Sequence, residues 1–197
     1  MKKIIMLLAL LTASFSLFAK NDIQFRLCPV FSQVDYKLGD EVLGSASNGA
    51  ELGVINYNFF GEEEHFGVFE MLSVLFEGSG CFDFSIGAAF GNDLSEAMRF
   101  QGGLGLNFFY AISEDYGYGD ENYDKKQSTK IQFGFTGDAS MKFTPHRLFS
   151  PVIGINFNYN PFCISHTITD GKSVRDDYSY YSRFAFLPYV SFCVNLN

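Results

Sequence analysis

Several features that are common in other protein classes are missing from this 197-residue chain. It has no tryptophan, only 5 prolines and only 18% charged residues, and its formal net charge is -8. An acidic chain is unsuited to binding the phosphate backbone of nucleic acids, so we exclude that function. The 4 cysteines include no C-x-x-C pair. We therefore expect no cysteine-ligated metal.

A long apolar run is also missing beyond the N-terminal segment. After residue 19 every apolar stretch is interrupted within a few residues, far short of the roughly 20 residues of a transmembrane helix. The segment itself, MKKIIMLLALLTASFSLFA, has two lysines, an apolar core and then small residues. This layout predicts a signal peptide over residues 1–19, with cleavage after Ser16 as the alternative. One mature domain over residues 20–197 would remain.

The chain is rich in phenylalanine, with 24 residues, and its apolar residues alternate with polar ones. From Lys130 to Phe143 every odd position is apolar or small, and every even position is polar or glycine. This period of two predicts a strand with one apolar and one polar face. A strand of this length, with phenylalanine on one face and charges on the other, suits a barrel that spans a bilayer.

Eight such segments predict an all-β fold, an eight-stranded antiparallel up-and-down transmembrane β-barrel. The predicted strands are 22–33, 49–60, 66–77, 81–90, 99–111, 130–143, 150–160 and 178–196. Alternation fails near Ile55, which predicts a β-bulge there. We expect loops over 34–48 and 113–129 and a turn over 91–97. The first, fifth and seventh connections are long and the second, fourth and sixth are short, as in outer-membrane barrels. Only the third, Gly-Ser-Gly, departs from this rhythm.

The signal peptide, the eight amphipathic strands, the loop rhythm and the apolar final strand resemble small bacterial outer-membrane barrels. The OmpW-like family and the OmpA-type transmembrane domain are the nearest architectures. The resemblance implies a monomer in the outer membrane, surrounded by lipid, with tyrosine supplying the interfacial girdle. It implies a non-enzymatic surface protein that is structural, adhesive or a narrow channel for small hydrophobic molecules. The alternative is a soluble exported β-barrel that binds an apolar ligand inside a phenylalanine core.

The interior of an eight-stranded barrel is just wide enough for side chains to fill it. The predicted inward face carries charges of both signs, with Glu51 as a further candidate: Arg26, Asp83, Lys130, Asp138, Lys142 and Arg183. Buried charges are tolerated when paired, so we expect a salt-bridged network that closes the lumen. A gated pore is the alternative, because inward glycines at positions 87, 103, 105, 134 and 154 leave some room.

Cysteines of the first and last strands form the predicted contact across the barrel seam. Pairing Ile23 with Asn197 would bring Cys28 close to Cys193, so we predict a disulfide or a close contact there. Ser165, His166 and Asp170 superficially fit the active site of a lipid-modifying barrel enzyme. No motif supports that activity, and we expect no catalytic residue, cofactor or metal.

The predicted loop over 113–129 combines acidic and aromatic residues: Asp115, Tyr116, Tyr118, Asp120 and Tyr123. A solvated loop is the simplest interpretation of this composition. Because tyrosine offers a large contact area at a low entropy cost, the loop also suits contact with a host surface or an antibody.

Overall fold

The computed structural model describes residues 20–61, 63–76, 80–116, 125–169, 172–176 and 178–196. The predicted signal peptide lies outside these residues. Within them, no helix is long and apolar enough to cross a membrane. The described strands are β1 Lys20–Leu38, β2 Glu41–Phe60, β3 Phe66–Phe76, β4 Gly80–Ser95, β5 Met98–Tyr116, β6 Lys125–Phe143, β7 Phe149–Thr169, β8 Lys172–Asp176 and β9 Tyr178–Leu196.

The strands form one closed antiparallel ring. Each strand from β1 to β7 pairs with the next, and β9 closes the ring by pairing with both β7 and β1. The short β8 pairs with the last part of β7, beyond the stretch of β7 that pairs with β9. Since β8 and β9 occupy the same side of β7, the nine strands fill eight positions. The predicted antiparallel barrel is confirmed.

The two ends of the barrel differ in their connections. Both ends of the described chain, and the connections from β2 to β3, from β4 to β5 and from β6 to β7, lie at one end, here called the inner end. The connections from β1 to β2, from β3 to β4, from β5 to β6 and from β7 to β8 lie at the opposite, outer end. In outer-membrane barrels the segments that extend far beyond the wall lie on the extracellular side, so the outer end, where β1 and β2 extend past β3, is the one that faces away from the cell.

Apolar side chains cover the outside of the barrel and polar side chains line its interior. Phe82, Phe135 and Phe184 lie on the outer face with exposed fractions of 49%, 57% and 49%. Asp83 and Asn107 lie on the inner face and are fully buried. This arrangement is inverted relative to a soluble barrel, in which the phenylalanines would form the core. The soluble alternative is therefore wrong.

Strand lengths near the outer end differ from the prediction. The predicted loop over 34–48 is instead a regular hairpin, in which Leu38 pairs with Glu41. Likewise β5 and β6 pair as far as Tyr116 and Lys125, inside the predicted loop over 113–129. At the inner end β4 continues to Ser95, so the turn predicted over 91–97 is shorter. Pairing to a neighbouring strand, which single-strand composition does not reveal, lengthens these strands.

The bulge predicted at Ile55 is absent. The register between β2 and β3 runs without a shift from Ala50 to Phe60. Alternation fails there because Ile55 and Phe59 point inward, where they form an apolar layer of the core. The register shifts elsewhere, between β6 and β7 at Phe133.

Candidate functional site: the barrel interior and the outer rim

Asp138 on β6 accepts hydrogen bonds from two tyrosines in the middle of the lumen. Tyr57 on β2 donates one and Tyr189 on β9 donates the other at 2.9 Å. In a ring of eight positions β2 and β6 lie opposite each other, so the bond from Tyr57 to Asp138 crosses the full width of the lumen. Together the three side chains form a polar bridge that blocks a straight passage through the barrel.

Arg26 on β1 and Glu51 on β2 form an ion pair beside this bridge. Both side chains are fully buried. The guanidinium of Arg26 also lies 5.4 Å from the centre of the Tyr189 ring, a cation–π contact. Removal of either charge would leave the other without its counter-ion in a closed interior.

Asp83 on β4 is the centre of a second polar cluster. Its carboxylate accepts hydrogen bonds from Asn107 on β5 and, at 2.9 Å, from Asn158 on β7. Arg183 on β9 stacks over the Phe109 ring at 4.0 Å to the ring centre. These contacts join strands on different sides of the ring and fill a second cross-section of the lumen.

Lys142 closes the inner end of the lumen. It forms an ion pair with Asp22 on β1 and donates a hydrogen bond of 2.9 Å to Asn195 on β9. Asn195 in turn donates to the carbonyl of Pro145 at 3.0 Å and to Ser150 Oγ at 3.0 Å. The first strand, the last strand and the turn between β6 and β7 are thus joined at one point.

Glycines on the inward face make room for aromatic rings. A Cβ at Gly103 would lie 2.3 Å from the Phe69 ring, and one at Gly154 would lie 2.5 Å from the Tyr189 ring. The space that these glycines provide is therefore occupied by side chains. The gated pore stays an alternative prediction.

The predicted lumen charges all lie on the inward face. Five of the six are buried, namely Arg26, Asp83, Asp138, Lys142 and Arg183, and Lys130 is half-buried. Their inward direction follows from the alternation of faces along each strand. They form separate clusters with neutral side chains, and the direct ion pairs are made with Glu51 and Asp22. Asp22 is not among the predicted lumen charges, although its even position on β1 marks it as inward.

The tyrosine partners of Asp138 gave a weaker signal in the sequence. Tyr57 lies where the alternation of β2 fails, between Ile55 and Phe59, so its parity is hidden by apolar neighbours on both faces. Tyr189 follows the clear alternation of β9, but an inward tyrosine is not distinguished by sequence from an interfacial one. Only the register across the lumen brings both hydroxyls to one carboxylate.

The predicted contact between Cys28 and Cys193 is not formed. Both cysteines are buried and free. Cys193 pairs with Gln24, and not with a residue next to Cys28, because the β1–β9 register differs by three residues from the predicted one. Cys28 lies four residues from Gln24, so the two cysteines are offset by about 13 Å along the strands. In the structure Cys28 instead contacts Glu51, with its Sγ 3.6 Å from the carboxylate oxygen.

Two of the residues considered for lipid modification point to opposite faces of β7. Ser165 is fully buried and donates a hydrogen bond of 2.6 Å to Asp176, while His166 is exposed. Asp170 lies outside the described residues. Over the ranges that the structure describes, no group of three or more histidine, cysteine or acidic residues could hold a metal ion.

At the outer rim the β1–β2 hairpin extends beyond β3, while β1 stays paired with β9 as far as Leu38. Pairing between β1 and β2 continues for six residue pairs past Ser32 and Ser47, which extends the hairpin by about 20 Å along the strands. Residues 41–48 of β2 are exposed on both faces, including Val42 at 77%. Of the predicted contact residues, Asp115 and Tyr116 are the last two residues of β5. The others, Tyr118, Asp120 and Tyr123, lie outside the described residues.

An aromatic pocket of about 500 Å³ lies in the wall near the outer end, between β7 and β9. Pairing of these strands stops at Asn160 and Arg183, and β7 pairs with β8 only from Ser165 onward. The lining includes Pro161, Cys163 and several aromatic rings: Phe133, Tyr159, Phe162, Tyr178, Tyr180 and Tyr181. The barrel wall is therefore locally open at this height.

The barrel seam between β1 and β9 also contains an interruption. Leu27 pairs with Val190, and the next pair is Phe31 with Phe186. The register is the same on both sides of this gap, but the three pairs between are not formed. In that register Pro29 faces Pro188, and neither has a backbone N–H to donate. Pro29 therefore lies at a point of β1 where no hydrogen bond of the ladder to β9 is needed.

Known proteins resemble this chain in fold but not in sequence. No model of a protein family and no curated protein sequence matches it. The outer-membrane protein OprG from Pseudomonas aeruginosa is 12% identical over 91% of this chain and 97% of its own, with a TM-score of 0.51. Neisserial surface protein A is 8% identical over 88% and 97%, with a TM-score of 0.50. Ail, the attachment invasion locus protein of Yersinia pestis, is 14% identical over 90% and 99%, with a TM-score of 0.44.

Identities this low show the fold alone. OprG and surface protein A have the fold of small outer-membrane β-barrels, and this chain shares it. The apolar exterior of the barrel agrees with that fold, because a surface covered with phenylalanine is stable in lipid and not in water. The chain is an outer-membrane β-barrel.

Proposed function

We propose that the protein is a non-enzymatic surface protein whose closed barrel anchors outer hairpins that contact other macromolecules. The observation that carries this proposal is the β1–β2 hairpin, whose second strand is exposed on both faces from residue 41 to residue 48. A strand that only closed the barrel would have no need to extend so far beyond its neighbour β3, which ends at Phe76. In the sequence, the acidic and tyrosine-rich segment follows the end of β5 at Tyr116.

The filled lumen supports an anchoring role over a through-channel. The bridge from Tyr57 to Asp138, the Asp83 cluster and the Lys142 pair occupy successive cross-sections. Polar contacts that are buried and paired in this way stabilise one arrangement of the strands, since breaking them leaves unsatisfied groups. We therefore infer that the interior holds the barrel rigid and that recognition takes place at the outer end.

Adhesion of bacterial cells tests this proposal. Cells that display the protein would be compared with cells that display two shortened forms, one without residues 115–124 and one with residues 35–44 replaced by a two-residue Asn-Gly turn. A matched control would carry Glu63→Gln in an inner turn, where no contact with a partner is expected. We expect binding to cultured epithelial cells or extracellular matrix to fall in at least one shortened form and to be unchanged in the control. Full binding by both shortened forms would contradict the proposal.

Passage of small hydrophobic molecules is the second candidate function. The specific observation in its favour is the aromatic pocket between β7 and β9, which lies above the polar clusters and opens the wall sideways. A narrow route would then run from the outer end into the wall without crossing the lumen. Vesicles containing the protein would admit a small apolar solute faster than empty vesicles, and a bulky Cys163→Trp variant would slow this uptake. Equal uptake in all three preparations would exclude the route.

A further inference from the structure

Three polar side chains form a row on the outer face of the barrel near its outer end. Thr129 on β6 pairs with His166 on β7, and His166 pairs with Arg175 on β8. Residues that pair across neighbouring strands share a face, with their Cβ atoms about 4.5–5.5 Å apart. Ser165 is buried inside the barrel, so His166, the next residue along β7, lies on the outer face. The three residues, here called the rim row, therefore all lie on that face, where His166 and Arg175 are exposed.

The rim row lies directly above the apolar belt that faces lipid. Two residues closer to the inner end, Ile131 pairs with Ile164 on β7 and with Tyr110 on β5. Ile131 is 40% exposed on the outer face. Tyrosine is enriched where the hydrocarbon layer meets the headgroups, so Tyr110 marks the border of the belt. Two residues of a strand span about 7 Å, which raises the rim row to the height of the lipid headgroups in the outer leaflet.

The rim row offers hydrogen-bond donors and positive charge. A guanidinium has five N–H groups, an imidazole has at least one, and the hydroxyl of threonine has one donor. Asp176, the residue after Arg175, lies on the opposite face of β8, where it accepts hydrogen bonds from Ser165 at 2.6 Å and from Thr167 at 3.1 Å. Its carboxylate is thus engaged on the inward side of the hairpin. The rim row is therefore suited to an anion that approaches from the lipid side.

Phosphate is the anion that lipid headgroups present at this height. The guanidinium of an arginine binds two phosphate oxygens at once, and donors beside it can bind the remaining oxygens. A phosphomonoester also carries more negative charge than the phosphodiester of a zwitterionic lipid. We propose that the rim row binds the phosphate of a lipid headgroup in the outer leaflet, with Arg175 as its main contact. This inference goes beyond the proposed contact function, because its partner is the membrane around the barrel.

The lipid that stays bound to the protein tests this site. The barrel would be placed in phosphatidylcholine nanodiscs that contain a small fraction of lipid A with both of its phosphates, or of lipid A from which both phosphates have been removed. Native mass spectrometry of barrels released from the discs measures the fraction that retains a lipid A molecule. We expect the phosphorylated lipid to be retained about threefold more often, in proportion to an exposed ion pair. Equal retention of the two lipids would overturn the proposal.

Arg175→Gln and Lys172→Gln are matched variants on β8. Both positions are exposed, and each change removes one positive charge. Lys172 pairs with Thr169, about 10 Å further along the strand and on the other face. We expect Arg175→Gln to lower retention of phosphorylated lipid A about threefold and Lys172→Gln to leave it unchanged, with the gel mobility of the folded barrel kept in both. Unchanged retention in Arg175→Gln, or equal losses in the two variants, would overturn a site at the rim row.

Two further arms separate the lipid phosphate from other sources of the contact. Inorganic phosphate in large excess should leave most of the lipid A bound, and full displacement would assign the site to a soluble anion and overturn the lipid as its occupant. Asp177 follows in the sequence but lies outside the described residues. Asp177→Asn should retain at least as much lipid A as the wild type, because a carboxylate repels phosphate. A loss in this variant would overturn the proposal, since it would show that the lipid binds acidic side chains through a bridging cation.

Discussion

The buried pair between Arg26 and Glu51 gives the sharpest test of how the lumen stabilises the barrel. The variant Glu51→Gln removes one charge and leaves the other in an interior where both side chains are fully buried. Breaking a buried pair in this way costs about 3–5 kcal/mol. The carboxylate of Asp138 also acts on Arg26, and the ring of Tyr189 lies 5.4 Å away. These contacts remain, so we expect the lower end of that range, about 3 kcal/mol.

Reversible unfolding in lipid vesicles measures this cost. Urea titration would be followed by circular dichroism and by the gel mobility of unheated samples. Glu41→Gln is the matched control, because the same chemical change at an exposed position should cost less than about 0.5 kcal/mol. The double variant Arg26→Met with Glu51→Leu removes both charges and should lie within about 1–2 kcal/mol of the wild type. A cost for Glu51→Gln no larger than that for Glu41→Gln would refute the role of the pair.

Three further predictions follow from the faces and the contacts. Phe135→Arg places a charge on the lipid face and should lower the free energy of unfolding by about 2–4 kcal/mol. The control Phe135→Leu should lower it by less, and equal effects of the two variants would contradict the assigned face. Cys28 and Cys193 should remain unlabelled by a maleimide in the folded barrel and show no change of gel mobility with reductant, and rapid labelling would contradict their burial. In planar bilayers Tyr57→Ala should conduct more than the wild type because it opens one side of the polar bridge, whereas an unchanged conductance would show that the bridge does not limit passage.

Alternation in the sequence predicted the fold and the inward charges because each strand obeys it independently. Arg26 and Asp138 could be placed inside the barrel without knowledge of their neighbours, since parity alone decides the face. Pairing between strands could not be predicted in this way. The contact between Cys28 and Cys193 required the β1–β9 register, and an error of three residues along the strands removed it.

Departures from alternation were the second source of error. The prediction of a bulge at Ile55 is wrong because the alternation rule assumes a polar interior throughout, whereas Ile55 is apolar and points inward. The lumen instead contains an apolar layer that includes Phe59 and Phe69, against which the Tyr57 ring packs. The prediction of a loop over 34–48, where the structure has a hairpin, fails for a related reason. Its glycine and serine residues have low strand propensity, but pairing with the neighbouring strand outweighs that preference.

The direction of neighbouring phenylalanines tests the central claim most directly. Phe108 and Phe109 are adjacent on β5, and the first is 44% exposed on the outer face while the second is buried inside. Because the chain has no tryptophan, Phe108→Trp and Phe109→Trp would each provide a single fluorescent probe. In bilayers of brominated lipid we expect strong quenching at position 108 and little at position 109. Quenching at position 109 and none at position 108 would contradict a barrel with a lipid-facing exterior and a closed polar lumen.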